Sequence, residues 1–217
     1  MGIAMELEPS ALAVDPGRLG SMKVHLTNSG PDACDVAVEL PPDERDWTWV
    51  HPESCSVTPG EEAVVAVFFK PAYGPHPTAG RHTVAIVARA PAEAASGEGT
   101  VEVGPFVDAA GTFDPMVAYD PMGATYAFNL ENRGNVPVTA TLSTDDPSGG
   151  ALSVQVQPAT LTADPGETAA AVVTVQAKKK LKRGEHTYRV CVLAEVQGAS
   201  DLRCEAAFRQ QGLKPAK

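Results

Sequence analysis

The chain has 217 residues and a formal charge of −10, and 43% of its residues are hydrophobic while 20% are charged. This balance argues against global disorder, and the length favours two domains of about 100 residues each. Because phosphate groups repel an acidic chain, nucleic acid and anionic membrane surfaces are disfavoured as partners.

The beginning of the chain has neither the basic segment nor the apolar core of a signal peptide. No apolar run approaches the roughly 20 residues that cross a bilayer. We therefore expect a soluble protein, either cytoplasmic as given or exported with a trimmed or non-classical signal.

Alternating apolar and polar residues predict β-strands along the whole chain. The first such strand has Met22, Val24 and Leu26 on one face, and no stretch has a sustained helical pattern. Further strands are predicted around 34–38, 65–69, 84–88, 99–103, 126–130, 138–142, 171–175, 188–192 and 203–208. The segment 90–95 is predicted to be a loop because it is short and contains Pro91.

Three sequence landmarks recur in the same order at a shift of 104 or 106 residues, which indicates a duplicated domain. The matched segments are 26–30 with 130–134, 57–62 with 163–168, and 80–87 with 184–192. We predict an all-β fold of two tandem immunoglobulin-like antiparallel β-sandwich domains, with six to seven strands each. The predicted domains span 3–106 and 107–210, and a disordered tail spans 211–217.

The order of turn and core residues resembles bacterial immunoglobulin-like families. The residues that carry this resemblance are Asn28, Gly30, Pro42, Trp47, Val57, Pro59, Gly60, Glu61, Lys70, Pro71, Ala79 and Gly80. The similar families include CARDB-like adhesion-related modules and a module attached to some bacterial α-galactosidases. The chain also resembles small two-domain bacterial proteins labelled "hydrolytic protein", some of them beside genes of phage-tail-like contractile injection particles. That last resemblance implies an accessory, structural or cargo protein of such a particle.

Sequence motifs for catalysis and cofactor binding are absent. The chain contains no GxSxG, GxxxxGK[ST], GxGxxG, HExxH or CxxC segment. We therefore expect no enzyme, no catalytic residue, no metal site and no cofactor, although an enzyme of unrecognised type stays as an alternative.

Trp47 and Trp49 are the first candidate contact residues, since they lie two apart and are predicted to share one face of a strand. We expect one to be buried and the other partly exposed. An exposed Trp could anchor a protein partner or stack on a sugar ring. Tyr73 and His76 lie in a stiff YGPHP loop that could border this surface.

A basic run is the second candidate, because it concentrates five of the seventeen Lys and Arg residues. It consists of Lys178, Lys179, Lys180, Lys182 and Arg183. It could dock an acidic partner, or it could be a solvated loop between two strands.

The four cysteines divide into two per domain. By the repeat, Cys34 and Cys55 match Val138 and Leu161, so both are expected at core positions, either bonded or as thiols. The spacing of Cys191 and Cys204 suits a cross-strand bridge, but their alternation places them on opposite faces. Reduced thiols are favoured, with disulfides as the alternative.

These features favour a non-catalytic structural or protein-binding module of a bacterial assembly or surface. A carbohydrate-binding accessory module is the alternative, disfavoured by an aromatic content of only 6%.

Overall fold

The computed structural model describes residues 2–42, 46–145 and 147–213. Its contacts divide the chain into two units, Met1–Phe106 and Val107–Lys217. Each unit contains nine strands, and no α-helix occurs among the described residues. The prediction of an all-β fold with two tandem sandwich domains is confirmed.

The first unit packs a four-stranded sheet, in the order β1-β3-β7-β5, against a five-stranded sheet, in the order β2-β9-β8-β4-β6. Its strands are β1 (Ile3–Glu8), β2 (Ala11–Val14), β3 (Gly20–Asn28), β4 (Cys34–Glu39), β5 (Thr48–His51), β6 (Ser54–Val57), β7 (Glu62–Phe69), β8 (Gly80–Ala90) and β9 (Glu93–Val103). Among its described residues all strand pairings are antiparallel except that of β2 with β9.

The core of this unit follows from the predicted alternation. Met22, Val24 and Leu26 of β3 are fully buried, and Met22 and Val24 lie opposite Val67 and Val65 of β7. Side chains from both sheets complete one continuous hydrophobic cluster. Successive residues of a strand point to opposite faces, so the same alternation sends the intervening residues to the outer face of the sheet.

The second unit repeats this topology with sheets β10-β12-β16-β14 and β11-β18-β17-β13-β15. Its strands are β10 (Ala109–Asp114), β11 (Val117–Asp120), β12 (Gly123–Asn132), β13 (Val138–Asp145), β14 (Leu152–Gln157), β15 (Thr160–Ala163), β16 (Thr168–Ala177), β17 (Glu185–Val196) and β18 (Leu202–Gln211). Tyr126, Phe128 and Leu130 of β12 are buried in its separate core.

A buried asparagine at the end of β3 recurs at the end of β12. The Asn28 side-chain amide donates to the carbonyls of Asp32 (2.8 Å) and Val57 (2.9 Å), and its Oδ1 accepts from the Gly30 amide (2.8 Å). In the second unit Asn132 makes three corresponding bonds, to Val136 (2.8 Å), Ala163 (2.9 Å) and Gly134 (2.9 Å). These hydrogen bonds link the loop after the strand to a strand of the opposite sheet. They explain why an Asn followed two residues later by Gly recurs in both units.

The strand count exceeds the six to seven predicted per domain. One reason is that the first strand of each unit is divided: β1 pairs with β3, whereas β2 joins the other sheet beside β9. The prediction of a loop over 90–95 is also wrong, because only Pro91 and Ala92 form the turn between β8 and β9.

The glycines of β9 explain why this strand is hard to recognise. A Cβ atom on Gly97 would lie 2.8 Å from Met5 Cε, and one on Gly99 would lie 2.7 Å from Met22 Sδ. Both glycines therefore make room for core side chains, although glycine is unfavourable in strands.

The predicted disordered tail lies largely outside the described residues, which end at Leu213, and β18 itself extends to Gln211. Among the described residues there is no helix with the length and hydrophobicity needed to cross a bilayer.

Candidate interaction surfaces

An aromatic pair lies on the outer face of the four-stranded sheet of the first unit. Trp49 of edge strand β5 pairs in register with Phe68 of β7, and their rings stack with centroids 5.4 Å apart and planes 18° from parallel. Trp49 keeps 43% of its surface exposed, and Val64 on the same face of β7 keeps 48%. Three apolar side chains thus face away from the core on two adjacent strands.

The second unit lacks this aromatic pair. There, β14 and β16 occupy the places of β5 and β7 in the sheet order, and the corresponding pair is Gln155 opposite Thr174. Because both units have the same topology, the fold itself does not require aromatic residues here. The Trp49–Phe68 pair is therefore a feature of the surface of the first unit alone.

A groove of about 490 Å³ lies beside Trp49, between β5 and β4. It is lined by apolar side chains including Leu40 and Val50, and by the carboxylate residues Glu39 and Glu53. Glu39 forms an ion pair with Arg89 at 2.7 Å. The groove thus combines an aromatic wall with acidic residues.

The prediction that Trp47 shares a face with Trp49 is wrong. Strand β5 begins only at Thr48, and Trp47 is buried in the core, with its ring 5.9 Å from that of Phe69. Phe68 and Phe69 are successive residues of β7 and point to opposite faces, so the two tryptophans contact opposite sides of the sheet.

His76 lies near Trp47 in a second groove, of about 520 Å³, which also includes Asp46, Pro77 and His82. The His82 ring meets Trp47 edge-on at 5.6 Å, and its Nε2 lies 2.7 Å from the Thr78 carbonyl oxygen. The contact with Thr78 fixes the His82 side chain against the turn that precedes β8.

Tyr73 is not among the residues lining the grooves that contain Trp49 and His76. Its ring packs edge-on against Phe106 at 5.2 Å and covers Gly17, where a Cβ atom would lie 2.5 Å from the ring. Gly17 also has a φ of +78°, so the position needs glycine for two reasons. The exposed Tyr73 therefore lies apart from the Trp49–Phe68 pair.

The basic run forms the connection between β16 and β17 of the second unit. Lys178, Lys179, Lys180, Lys182 and Arg183 are all exposed there. The predicted contact residues therefore divide between the two units.

All four cysteines are free thiols. Cys204 lies opposite Val192 in the β17–β18 ladder, whereas Cys191 lies opposite Glu205. The two cysteines therefore lie on opposite faces of the sheet, as their alternation in the sequence indicates. Cys191 is buried on the outer face of its sheet, and burial raises the pKa of its thiol. Burial likewise raises the pKa of Cys55 and of Cys204.

A histidine lies between two carboxylates on the outer face of the first sheet. His25 Nδ1 contacts Glu62, and its Nε2 lies 3.2 Å from a Glu8 oxygen. The hydrogen bond with Glu62 is the main cause that raises the pKa of His25 above 6.5. Among the described residues, no three His, Cys, Asp or Glu side chains are arranged so that they could hold a metal ion.

Sequence reasoning missed Phe68 and Val64, although they alternate with the core residues Val65, Val67 and Phe69. It also missed the exposed apolar residues of the second unit, which are Met116, Val117, Tyr119, Met122, Val172 and Leu213 among the described residues. Because Val65, Val67 and Phe69 are predicted to face the core, the alternation gives Phe68 and Val64 outward parity, but parity alone does not show that an outward apolar side chain stays uncovered.

No family model matches the chain, and no curated protein matches it. Solved structures to which the chain is similar include the CupB2 chaperone of Pseudomonas aeruginosa, at 13% identity over 94% of this chain and 100% of that one, with a TM-score of 0.34. The E. coli chaperone DraB is 12% identical over 94% and 98%, with a TM-score of 0.34. The sialic acid binding region of a Streptococcus sanguinis adhesin is 11% identical over 99% and 78%, with a TM-score of 0.35. Likenesses this remote do not identify what the chain binds.

Proposed function

We propose that the chain is a non-catalytic protein-interaction module and that its first unit docks a protein partner on the Trp49–Phe68 face. The observation that carries this proposal is the exposed Trp49 ring, which stacks on the half-buried Phe68 ring, because the duplicated unit has Gln155 and Thr174 in the same places. A tryptophan side chain that remains exposed on a rigid sheet is a typical anchor of a protein interface.

The size of the expected contribution follows from the exposed area of Trp49. A Trp side chain offers up to about 250 Å², and 43% of the residue is exposed, which leaves about 100 Å² to bury. At about 25 cal/mol per Å², burial of that area stabilises a complex by about 2.5 kcal/mol. Loss of the side chain should weaken such a complex by well over tenfold.

Charge indicates the kind of partner. Residues 1–106 contain fifteen Asp and Glu against six Lys and Arg, a formal charge of −9. Glu39 and Glu53 line the groove beside Trp49. A partner segment with apolar side chains and basic residues around them would match this surface in both respects.

A matched pair of variants tests the proposal. Full-length Trp49→Ala and Gln155→Ala proteins are compared with wild type as baits in native lysate, with the retained proteins quantified. We expect a partner retained by wild type and Gln155→Ala to be lost with Trp49→Ala. Identical retention by all three baits, or no specific retention by any of them, would contradict the proposal.

A carbohydrate-binding role is the second candidate, and one observation favours it. The Trp49 ring, held in place by stacking on Phe68, lies beside the carboxylates of Glu39 and Glu53, which could accept hydrogen bonds from sugar hydroxyls. Binding on a glycan array that is lost with Trp49→Ala would favour this role over protein docking.

The biological setting is inferred from the family resemblance described for the sequence. A place in a bacterial assembly or at a bacterial surface agrees with a binding module of this kind. An accessory or cargo role in a phage-tail-like contractile injection particle rests on that resemblance alone.

A further inference from the structure

Four apolar side chains are exposed within seven residues around edge strand β11 of the second unit. They are Met116 (60% exposed), Val117 (36%), Tyr119 (54%) and Met122 (38%), and together they are called the β11 patch below. Ala118 between them packs against the core, so Val117 and Tyr119 point outward by strand alternation. Single exposed apolar residues are ordinary, but a cluster of this kind marks an interaction site.

The fold does not require this patch. In the first unit, β2 occupies the place of β11 and pairs in parallel with β9 as β11 pairs with β18. The residue at the position of Tyr119 there is Ala13, opposite Glu102, whereas Tyr119 lies opposite Arg209. The two copies share their core pattern and differ on this outer edge.

The basic run is held directly beside the β11 patch. The buried Gln210 side-chain amide donates to the carbonyls of both Pro121 (2.9 Å) and Lys179 (2.8 Å). The Ala177 amide also donates to the Met122 carbonyl at 2.7 Å. The backbone that carries Lys178, Lys179 and Lys180 is thus tied to the turn that presents Met122.

Arg209 adds a positive charge within the patch. Its guanidinium lies 5.4 Å from the centre of the Tyr119 ring and 3.5 Å from Glu185. Its Nε is buried and has no hydrogen-bond partner among the described residues. The surface therefore combines apolar contacts with cations, in a chain that is otherwise acidic.

We propose that the β11 patch and the basic run together bind an extended, acidic segment of a partner protein that also has apolar side chains. Within the part of the chain that the structure describes, β11 pairs with β18 alone, so its other edge can pair with a short strand of the partner. An anionic lipid surface would make no use of this edge, because it offers no backbone groups that can pair with a strand. This surface is separate from the Trp49–Phe68 face and does not depend on it.

Fluorescence anisotropy with the full chain tests this inference. The probes are labelled peptides of about six residues that alternate Glu with Leu or Phe, and a matched set with Lys in place of Glu. We expect only the acidic set to bind, with an affinity that falls as ionic strength rises to roughly 0.3 M. Tyr119→Ser combined with Met122→Ser should weaken binding about tenfold or more. Lys179→Glu combined with Lys180→Glu should weaken it comparably and reduce its salt dependence.

Two controls separate this surface from others. Leu19→Ser removes an exposed apolar side chain of the first unit, and Trp49→Ala removes the anchor of the other proposed surface; neither should change peptide binding. Loss of binding with Trp49→Ala but not with the Tyr119 and Met122 variant would overturn the inference and leave the proposed function standing.

Three further results would also overturn the inference. These are equal binding of acidic and basic peptides, binding only to phosphatidylserine vesicles, and self-association that the Tyr119 and Met122 variant abolishes without any peptide binding. The last two would assign the patch to lipid or to a second copy of the chain.

Discussion

Replacement of the repeated buried asparagine should destabilise each unit separately. Asn28→Ala removes one acceptor and two donors from a site where the side chain is almost completely buried. The carbonyls of Asp32 and Val57 and the amide of Gly30 would then lose their partner. The same reasoning applies to Asn132→Ala in the second unit.

The magnitude follows from the three hydrogen bonds. Each contributes about 1 kcal/mol, and the buried groups left behind cost as much or more. We expect each substitution to lower the free energy of unfolding of its unit by about 3 kcal/mol, a large part of the 5–15 kcal/mol typical of a domain. With a urea dependence of about 1.5 kcal/mol per M, the midpoint should fall by about 2 M.

The distribution of aromatic residues makes the measurement selective. Both tryptophans, Trp47 and Trp49, lie in the first unit, so Trp fluorescence in urea follows that unit alone. Asn28→Ala should shift the fluorescence transition, whereas Asn132→Ala should leave it in place and shift a Tyr-based transition instead. Thr27→Ala, an exposed neighbour, is the control. A shift with Asn28→Ala no larger than with Thr27→Ala would refute the argument from hydrogen bonding.

The remaining predictions concern pH and packing. The contact with Glu62 raises the pKa of His25, so protonated His25 stabilises the folded first unit. This stabilisation should be present below pH 6.5 and be lost as pH rises through the raised pKa. His25→Gln should remove this pH dependence from the midpoint of the Trp fluorescence transition. Burial raises the pKa of Tyr126 to about 12, so stability should fall as pH rises from about 10 through 12; Tyr126→Phe should abolish that fall, as followed by circular dichroism. Gly99→Val should cost about 1–3 kcal/mol in urea unfolding, because its side chain would overlap Met22; an unchanged midpoint would contradict this.

The core and the repeat could be predicted from the sequence because they depend on local alternation. Met22, Val24 and Leu26 were predicted to share one face, and all three are fully buried. The early part of β9 could not be predicted, because Ala, Ser and Gly have little strand preference. Only the ladder with β8, continuous from Gly80 to Ala90, makes that segment a strand.

The candidate surfaces were less predictable, because exposure depends on which strand lies next to which. Trp47 and Trp49 have the same parity in sequence, yet the strand begins between them and they face opposite ways. Tyr119 belongs to a short apolar run for which no strand was predicted, and its exposure follows from the position of β11 at a sheet edge. Sequence parity fixes relative facing only within one uninterrupted strand.

Comparison of the two units separates what the fold needs from what it does not. Both retain the buried asparagine, and both pack alternating apolar residues between their sheets. They differ at the outer-face positions, where Trp49 corresponds to Gln155 and Tyr119 corresponds to Ala13. An exposed aromatic residue adds nothing to the core and raises the risk of aggregation. Trp49 is present only in the first unit and Tyr119 only in the second, each at a different sheet edge. Two separate binding surfaces therefore explain these residues better than a contribution to stability does.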